Sequence, residues 1–315
     1  MQLSDRIGRR MKLQDLHVLM AVAQAGTMGK AAQLLNTTQP NISRSIADLE
    51  RALGVRLLDR GRHGIEPTES GRALLTCGVA VFDDLRQGIK RIEFLADPTA
   101  GEVRIGCSPF LAASFVPAVI DQLSRRCPRI VFHLVATPTG HTLHRELSER
   151  NVDLLITRKF DPIADEQMEF ESLFNEPYVV AAGAQSPWVR RRRIELAELI
   201  HEPWTLPLPG SMTGSVAAEA FRARGLDYPP TTVATDNAQA RISLVAAGRF
   251  LTMLQASILR FSSQQPEIKV LPVRPAIADI PVGVVTLKNR TISPVAQLFI
   301  DTAREVAKHL AKKKS

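Results

Sequence analysis

One segment, residues 39–53, constrains the fold most, because it predicts an amphipathic helix with a polar, basic outer face. Its apolar residues recur at helical spacing and form one stripe: Ile42, Ile46, Leu49 and Leu53. The other side carries Pro40, Ser43, Arg44, Ala47 and Arg51. Pro40 falls in the first turn, where a missing N–H costs little. We expect a helix packed on one face that presents Gln39, Ser43 and Arg44 near its exposed N-terminal end.

Two shorter helices precede this one. Apolar residues at helical spacing predict the first over about residues 13–24: Leu13, Leu16, Met20 and Ala23. Gly26 ends it, and Thr27 is a suitable cap for the next helix. Small residues in that second helix permit close approach by a neighbour, and Asn36, Thr37 and Thr38 separate it from the third.

The third helix has the chemistry of a nucleic-acid reader. Gln39, Ser43 and Arg44 can hydrogen-bond base edges when such a helix enters the major groove. Thr37, Thr38 and the free N–H groups of the helix start suit a phosphate. The segment therefore predicts contact with double-stranded DNA.

A basic hairpin follows Gly54. Two short extended pieces, residues 56–58 and 65–67, flank a glycine-containing turn. The tip carries three basic side chains: Arg60, Arg62 and His63. An ordinary solvated hairpin is the alternative, but its place directly after a recognition-type helix favours a β-wing that contacts DNA.

The run from Ala31 to Gly71 resembles the N-terminal signature of LysR-type transcriptional regulators along nearly its whole length. The matching positions are Gln39-Pro40, Ser43-Arg44, Leu49-Glu50, Leu53-Gly54 and Leu57-Leu58-Asp59-Arg60, with Leu58 where phenylalanine is commoner. The resemblance implies a DNA-binding regulator, with RNA polymerase as a further partner if it activates. Because the family usually starts close to Met11, Met1–Arg10 look like an extension and Met11 like an alternative start.

Residues 69–96 predict a long connecting helix. No proline interrupts them, and apolar residues follow a heptad: Leu75, Phe82, Leu85, Ile89 and Ile92. Gly78 takes the remaining position of that seam. The helix either packs on the preceding helices or, as the resemblance implies, pairs antiparallel with a second chain to form a homodimer or homotetramer. Asp97–Gly101 then predict a hinge-like linker.

From Gly101 onward, strands and helices alternate, which predicts a mostly parallel sheet. We expect strands at 103–106, 130–136 and 153–157 and helices at 110–126, 141–149 and 294–310. A second α/β lobe is expected over about 173–268, so that lobe I spans about 101–172 and 269–315. This part resembles the substrate-binding domain of LysR-type regulators, akin to type 2 periplasmic binding proteins.

The expected fold is therefore an α+β multidomain chain. A winged helix-turn-helix occupies residues 1–68, a dimerising linker helix 69–96, and a two-lobed α/β effector-binding domain 97–315.

Strand-to-helix turns supply the candidate effector contacts. They are Ser108, Phe110, Thr137, Thr139, Arg158, Met212, Thr213, Asp236 and Asn237. Hydroxyls and N–H groups at helix starts, with one arginine nearby, favour a small organic anion such as a carboxylate. By resemblance, family members hold effectors at these positions. The alternatives are ordinary helix caps and, for Arg158, a surface charge. Residues 244–248 match a common family segment, but Arg249 and Gln255 stand where Gly and Pro often occur.

Charge and cysteine usage add little to these expectations. The net charge of +8 permits a polyanionic partner, but residues 190–193 and 312–314 supply seven positive charges far from the predicted DNA reader. The odd cysteine number and the lack of a C-x-x-C pair favour reduced thiols over a redox-sensing pair.

Other classes of protein fit less well. The sequence lacks the common hydrolase, nucleotide-binding and zinc-protease motifs, and His141 and His144 have no evident metal-ligand partner. We therefore expect no enzyme, cofactor or metal. No apolar run approaches the roughly 18 residues that span a bilayer, and the polar N-terminus lacks a signal, so a cytoplasmic protein is expected. A solute-binding protein is the remaining alternative, and the DNA-reading helix argues against it.

Overall fold

The computed structural model describes residues 11–61, 64–136, 140–159, 166–261 and 267–312. The chain divides between Ile89 and Lys90, inside a long helix, into two compact units. Four predicted site residues lie outside the described residues: Arg62, His63, Thr137 and Thr139. The proposed N-terminal extension also lies outside them, and of Arg60 only the backbone is described.

The first unit begins with the helices α1 (Leu13–Ala25), α2 (Met28–Leu34) and α3 (Gln39–Leu53). The predicted α3 stripe is confirmed at Ile42, Ile46 and Leu49, which are buried, and Leu53 at its end is half-buried. The predicted α1 stripe is wrong at Leu13, which is exposed. The buried residues of α1 are Leu16, Val18, Leu19, Ala21 and Val22. They cover more than one face because α1 packs against α2 and α3 and also, near Leu16, against the long helix.

The wing is an antiparallel pair of strands, β1 (Leu58–Gly61) and β2 (Gly64–Pro67). β1 begins two residues later than predicted, because Leu57 is buried in the helical core. The backbone N–H groups of Leu57 and Leu58 donate to Glu50 Oε1 on α3 at 2.7 and 3.3 Å. The N–H of Ile65 donates to the carbonyl of Gly26 at 2.9 Å. The wing is thus fixed to the end of α1 and to α3.

The long helix α4 spans Glu69–Ala96, as predicted. A Cβ on Gly71 would lie 2.0 Å from the carbonyl oxygen of Leu57, so only glycine allows this approach. A Cβ on Gly78 would lie 3.1 Å from Leu16 Cδ1 and from Met20 Sδ. At Gly78 the heptad seam therefore packs on α1 of its own chain, which is the first of the two alternatives for this helix.

In the second unit, the first sheet has the strand order β4-β3-β5-β12-β6. Its strands are β3 (Ala100–Cys107), β4 (Arg129–Ala136), β5 (Leu154–Arg158), β6 (Met168–Glu176) and β12 (Ile280–Leu287). β3 is parallel to β4 and β5, but β12 is antiparallel to both its neighbours. The expectation of a mostly parallel sheet is therefore wrong at β12, which returns from the other lobe. Because β3 already includes Ala100 and Gly101, the hinge-like linker is shorter than predicted.

The helices of this lobe are α5 (Pro109–Ala112), α6 (Phe115–Arg126), α7 (Gly140–Ser148) and α11 (Pro294–Lys312). One helix was predicted over 110–126, and the structure has two with a break at Ala113–Ser114. Pro117 lies in the first turn of α6 and has no N–H to continue the ladder back to Ala113. The Ser114 hydroxyl closes α5 by donating to the carbonyl of Phe110 at 2.9 Å.

The second sheet has the order β11-β7-β10-β8-β9. Its strands are β7 (Tyr178–Gly183), β8 (Trp204–Leu206), β9 (Thr231–Ala234), β10 (Leu251–Gln255) and β11 (Ile268–Val270). The helices α8 (Met212–Arg222), α9 (Ala238–Ala246) and α10 (Ala256–Phe261) accompany it, with 3-10 turns at Pro187–Arg190 and Leu196–Leu199.

The predicted lobe boundaries need correction. β6 belongs to the first sheet through its pairing with β12, so the chain changes lobes at Pro177 rather than near residue 173. β11 pairs with β7, so the return follows Val270. One apolar core includes Val103 and Phe299 from the first lobe and Ala181 and Val245 from the second.

A buried carboxylate ties the end of α4 to the first sheet. Asp153 accepts hydrogen bonds from the backbone N–H of Arg104 at 2.9 Å and from its guanidinium at 3.1 Å. Arg290 donates to the same carboxylate at 3.0 Å, and Lys90 Nζ lies 3.7 Å from it. Lys90 also pairs with Glu102 at 3.2 Å.

Within the described part of the chain, no helix is long and apolar enough to cross a membrane.

Candidate DNA interface and effector site

The outer face of α3 is solvent-exposed at every position that was predicted to contact DNA. These residues are Thr37, Thr38, Gln39, Pro40, Ser43, Arg44 and Arg51. Thr38 occupies the N-cap position but makes no side-chain cap, so its hydroxyl does not occupy the first N–H groups of the helix. Pro40 has no N–H, and the N–H groups of Asn41 and Ile42 donate to the Thr38 carbonyl at 3.1 and 3.2 Å. Among the described residues, the N–H of Gln39 therefore remains without a backbone partner at the start of α3, and Arg44 is exposed on the same helix.

Two contacts set the orientation of α3. The Ser45 hydroxyl donates to Asp15 Oδ1 on α1 at 2.5 Å, on the side between the buried stripe and the exposed face. Thr37 Oγ1 accepts from Asn41 Nδ2 at 3.3 Å and holds the turn before the helix.

Arg51 Nη1 pairs with Asp48 Oδ1 at 2.6 Å, so this arginine already has a carboxylate partner. Arg44 therefore remains the stronger candidate for reading a base.

The exposure of the heptad residues changes along α4. Leu75 packs against the core of the first unit, and Phe82 contacts the His17 ring edge-on at 5.5 Å between centroids. Beyond them, Leu85, Ile89 and Ile92 are 47%, 57% and 69% exposed. The two interpretations of this helix therefore apply to different parts of it: the first half packs within the chain, and the second half keeps an apolar row in solvent.

At the effector end, Ser108, Phe110 and Arg158 come together. Ser108 follows β3 and Arg158 ends β5, and these neighbouring strands are parallel, so both residues lie at the same edge of the first sheet. The Arg158 guanidinium lies over the Phe110 ring, 5.1 Å from its centroid. Arg158 Nη1 donates to Tyr178 Oη at 3.0 Å, so it is not a free surface charge. The Ser108 hydroxyl caps α5 by accepting from the N–H of Leu111 at 3.4 Å.

Tyr178, Arg241 and Gln255 are buried beside this edge and were missed from the sequence. Gln255 Nε2 donates to Tyr178 Oη at 2.9 Å, so the hydroxyl accepts from both lobes. Burial lowers the pKa of the Arg241 guanidinium, against the opposing effects of Tyr178, Asp236 and Tyr228. Two signals could have indicated these residues: Gln255 departs from the family pattern, and Arg241 interrupts an apolar helix face.

The predicted residues of the second lobe bind mainly to each other. Asp236 Oδ1 accepts from the hydroxyls of Ser211 at 2.8 Å and Thr213 at 3.2 Å, and from the N–H of Leu208 at 3.2 Å. Asn237 caps α9 by accepting from the N–H of Ala240 at 3.1 Å. Met212 is exposed. The helix-cap alternative therefore describes Asn237, and among the described residues Thr213 makes no hydrogen bond to Ser108 or Arg158.

Family models cover nearly all of the described chain. Residues 13–72 match the bacterial regulatory helix-turn-helix protein model of the lysR family, and residues 96–308 match the LysR substrate binding domain. The families matched are transcriptional regulators and not enzymes.

Individual relatives agree with both matches over almost full length. The chain is 28% identical to the SDS degradation transcriptional activation protein of Pseudomonas sp., covering 90% of this chain and 93% of that one. A variant of full-length OxyR from Pseudomonas aeruginosa is 22% identical with a TM-score of 0.67, covering 95% and 97% of the two chains. CbnR in complex with its target DNA is 23% identical with a TM-score of 0.55, covering 94% and 100%.

These matches confirm the predicted fold class, a winged helix-turn-helix and a two-lobed α/β domain joined by a long helix. With 213 residues inside one family model and most of the remainder inside its companion, the chain belongs to the LysR family of transcriptional regulators.

Proposed function

We propose that this LysR-type DNA-binding regulator reads an interrupted palindromic operator as a homo-oligomer and responds to a small organic anion. The observation that carries the DNA proposal is the pattern of α3, where Ile42, Ile46 and Leu49 are buried and Gln39, Ser43 and Arg44 are exposed. In this proposal α3 enters the major groove and the wing contacts the backbone, through Arg60, Arg62 and His63.

The second half of α4 supports the proposal of self-association. Leu85, Ile89 and Ile92 form an apolar row in solvent, and a two-fold related copy of the helix would cover it. A two-fold protein requires matching half-sites, so the operator is expected to be an interrupted palindrome. The proposed assembly is a homodimer or homotetramer in the cytoplasm. It would also contact RNA polymerase if the protein activates transcription.

The LysR substrate binding domain is the part that binds small-molecule effectors. An organic anion is the effector class that the side chains favour, because Arg158 and the capping hydroxyl of Ser108 lie at one sheet edge beside Phe110. The relative named for SDS degradation adds alkyl sulfates to the carboxylates worth testing.

The DNA proposal is tested by Arg44→Ala in gel-shift titrations on the operator. Loss of a base contact is expected to cost about 1–3 kcal/mol per half-site and to relax specificity at one base pair. Arg125→Ala is the charge-matched control, because Arg125 is exposed, lies in the second unit and pairs with Asp121 at 2.9 Å. Unchanged specificity for Arg44→Ala would show that α3 is not the reading helix.

The effector proposal is tested by thermal-shift screening of carboxylic acids and alkyl sulfates on the full chain, followed by Arg158→Ala. Ligand binding to the folded state raises the midpoint of unfolding. Arg158→Ala is expected to weaken this response while operator binding without effector persists. A screen in which only neutral sugars or neutral aromatics stabilise the wild-type protein would contradict the anion class.

A further inference from the structure

A buried arginine in the second lobe lacks a carboxylate partner among the residues that the structure describes. Arg241 lies in the first half of α9 and is only 3% exposed. Its Nη1 donates to the carbonyl oxygen of Met253 at 3.0 Å. Within the described ranges, its buried Nε has no hydrogen-bond partner and its guanidinium forms no ion pair.

Two further polar groups next to it are also incompletely satisfied. Tyr178 Oη accepts hydrogen bonds from Arg158 and Gln255, so its own hydrogen still needs an acceptor. Gln255 Oε1 is buried without a partner among the described residues. Buried polar groups are usually paired, and a buried charge without a counter-ion is rarer still. Unpaired polar atoms from two buried side chains, Arg241 and Gln255, on either side of Tyr178 indicate that the site is completed by a ligand.

The charged side chains near Arg241 indicate the charge of that ligand. Arg158 disfavours and Asp236 favours the charged form of Arg241, so both lie within its electrostatic range. Asp236 Oδ1 is already engaged by three donors. Arg241 offers one unpaired donor, its Nε, so a ligand with a single carboxylate group matches this site. Phe110 and the Tyr178 and Tyr228 rings supply the apolar part of these surroundings.

We infer that Arg241 is the specificity-determining anion anchor of the effector domain, and that its Nε takes one oxygen of an apolar monocarboxylate. This inference rests on the proposed response to an organic anion and assigns the decisive charge to the second lobe. Arg158 then acts from the first lobe, where it lies over the Phe110 ring and donates to Tyr178 of the second lobe. A monocarboxylate bound between these two guanidinium groups would contact both lobes.

The test is a calorimetric and thermal-shift comparison of wild type, Arg241→Met and Arg241→Gln in the full chain. The probes are butyrate and phenylacetate, with butyramide and phenylacetamide as uncharged controls of the same shape. Loss of a hydrogen bond to a charged group is expected to weaken carboxylate binding about 10- to 100-fold in both variants. The amides are expected to leave the unfolding midpoint of wild type unchanged.

The unliganded proteins give a second readout that a merely structural role would not produce. Replacing a buried, unpaired charge with an apolar side chain of similar length is expected to raise the unfolding midpoint in Arg241→Met. If Arg241 served only to hold the Met253 carbonyl, the midpoint would fall and carboxylate binding would persist. Arg241→Gln keeps a donor for that carbonyl and therefore provides a folded variant if the methionine variant is unstable.

The possible failures are distinct. Carboxylate binding of equal affinity in wild type and both variants would overturn the role of Arg241 and leave the organic-anion response standing. If neither probe binds wild type, the monocarboxylate anchor is overturned. If the wider screen of carboxylates and alkyl sulfates also fails to stabilise wild type, the proposed anionic effector falls with it.

Discussion

Leu85→Asp is expected to convert the assembled regulator into monomers. Leu85 is 47% exposed in the single chain, so pairing of α4 with a second copy would bury about half of its surface. Full burial of a leucine contributes about 1.5–3 kcal/mol, so each copy loses about 1 kcal/mol when this side chain is removed. An unpaired carboxylate in the apolar seam adds a penalty of about 1–3 kcal/mol per copy.

Each change occurs twice in a two-fold interface, so the dimer is destabilised by about 4–8 kcal/mol. Its dissociation constant therefore rises at least about 1,000-fold. Sedimentation velocity over a concentration series measures this shift directly. Val270→Asp is the matched control, because Val270 is 50% exposed on the edge strand β11 of the second unit. If Leu85→Asp sediments like wild type, the seam on α4 does not hold the assembly together.

Three further perturbations follow from contacts in the structure. Glu50→Ala removes the acceptor of two wing N–H groups and is expected to lower the free energy of unfolding by about 1.5–3 kcal/mol, measured by denaturant titration of the full chain. Burial alone would raise the pKa of Asp153, but the Arg104 N–H and nearby cations outweigh it and lower the value. The stabilisation from Asp153 is therefore present above its ordinary value of 3.8 and is lost as pH falls below it; Asp153→Asn should abolish this acid-sensitive component in circular dichroism melts. Burial raises the pKa of Cys107 to about 11, so peptide mass spectrometry should find iodoacetamide on the exposed Cys77 and not on Cys107, and alkylation of Cys107 in the folded protein would contradict its burial.

α3 could be predicted well from the sequence because its hydrophobic periodicity depends only on residues within the helix. Ile42, Ile46 and Leu49 lie on one face of any helix through these residues, whatever packs against it. The heptad of α4 was equally regular, but periodicity does not say which partner covers a stripe. Only the tertiary contact of Gly78 with Leu16 shows that the first half of the seam is used within the chain.

Lobe boundaries were predicted less well because the two strands that cross between lobes look like any others. From the sequence, β6 looks like the first strand of the second lobe, and only its pairing with β12 places it in the first sheet. The proline at 177 was a local signal for the crossing, since proline cannot continue a strand ladder as a donor.

The effector edge was predicted in part. Parallel neighbouring strands bring Ser108 and Arg158 to one edge, which follows from alternating strands and helices. Arg241 could not be found in the same way, because it is not at the end of a strand and its burial depends on strands far away in sequence. Its contact with the Met253 carbonyl spans two elements that only the folded sheet brings together.

The most direct test of the DNA-reading assignment is selection of binding sites by the full-length protein from a random pool of double-stranded DNA. We expect wild type to enrich two inverted half-sites separated by an unspecified spacer, and Arg44→Ala to lose the preference at one symmetric pair of positions while binding DNA weakly. Enrichment of the same motif by wild type and Arg44→Ala, or of no inverted repeat at all, would contradict a two-fold reader that uses the exposed face of α3.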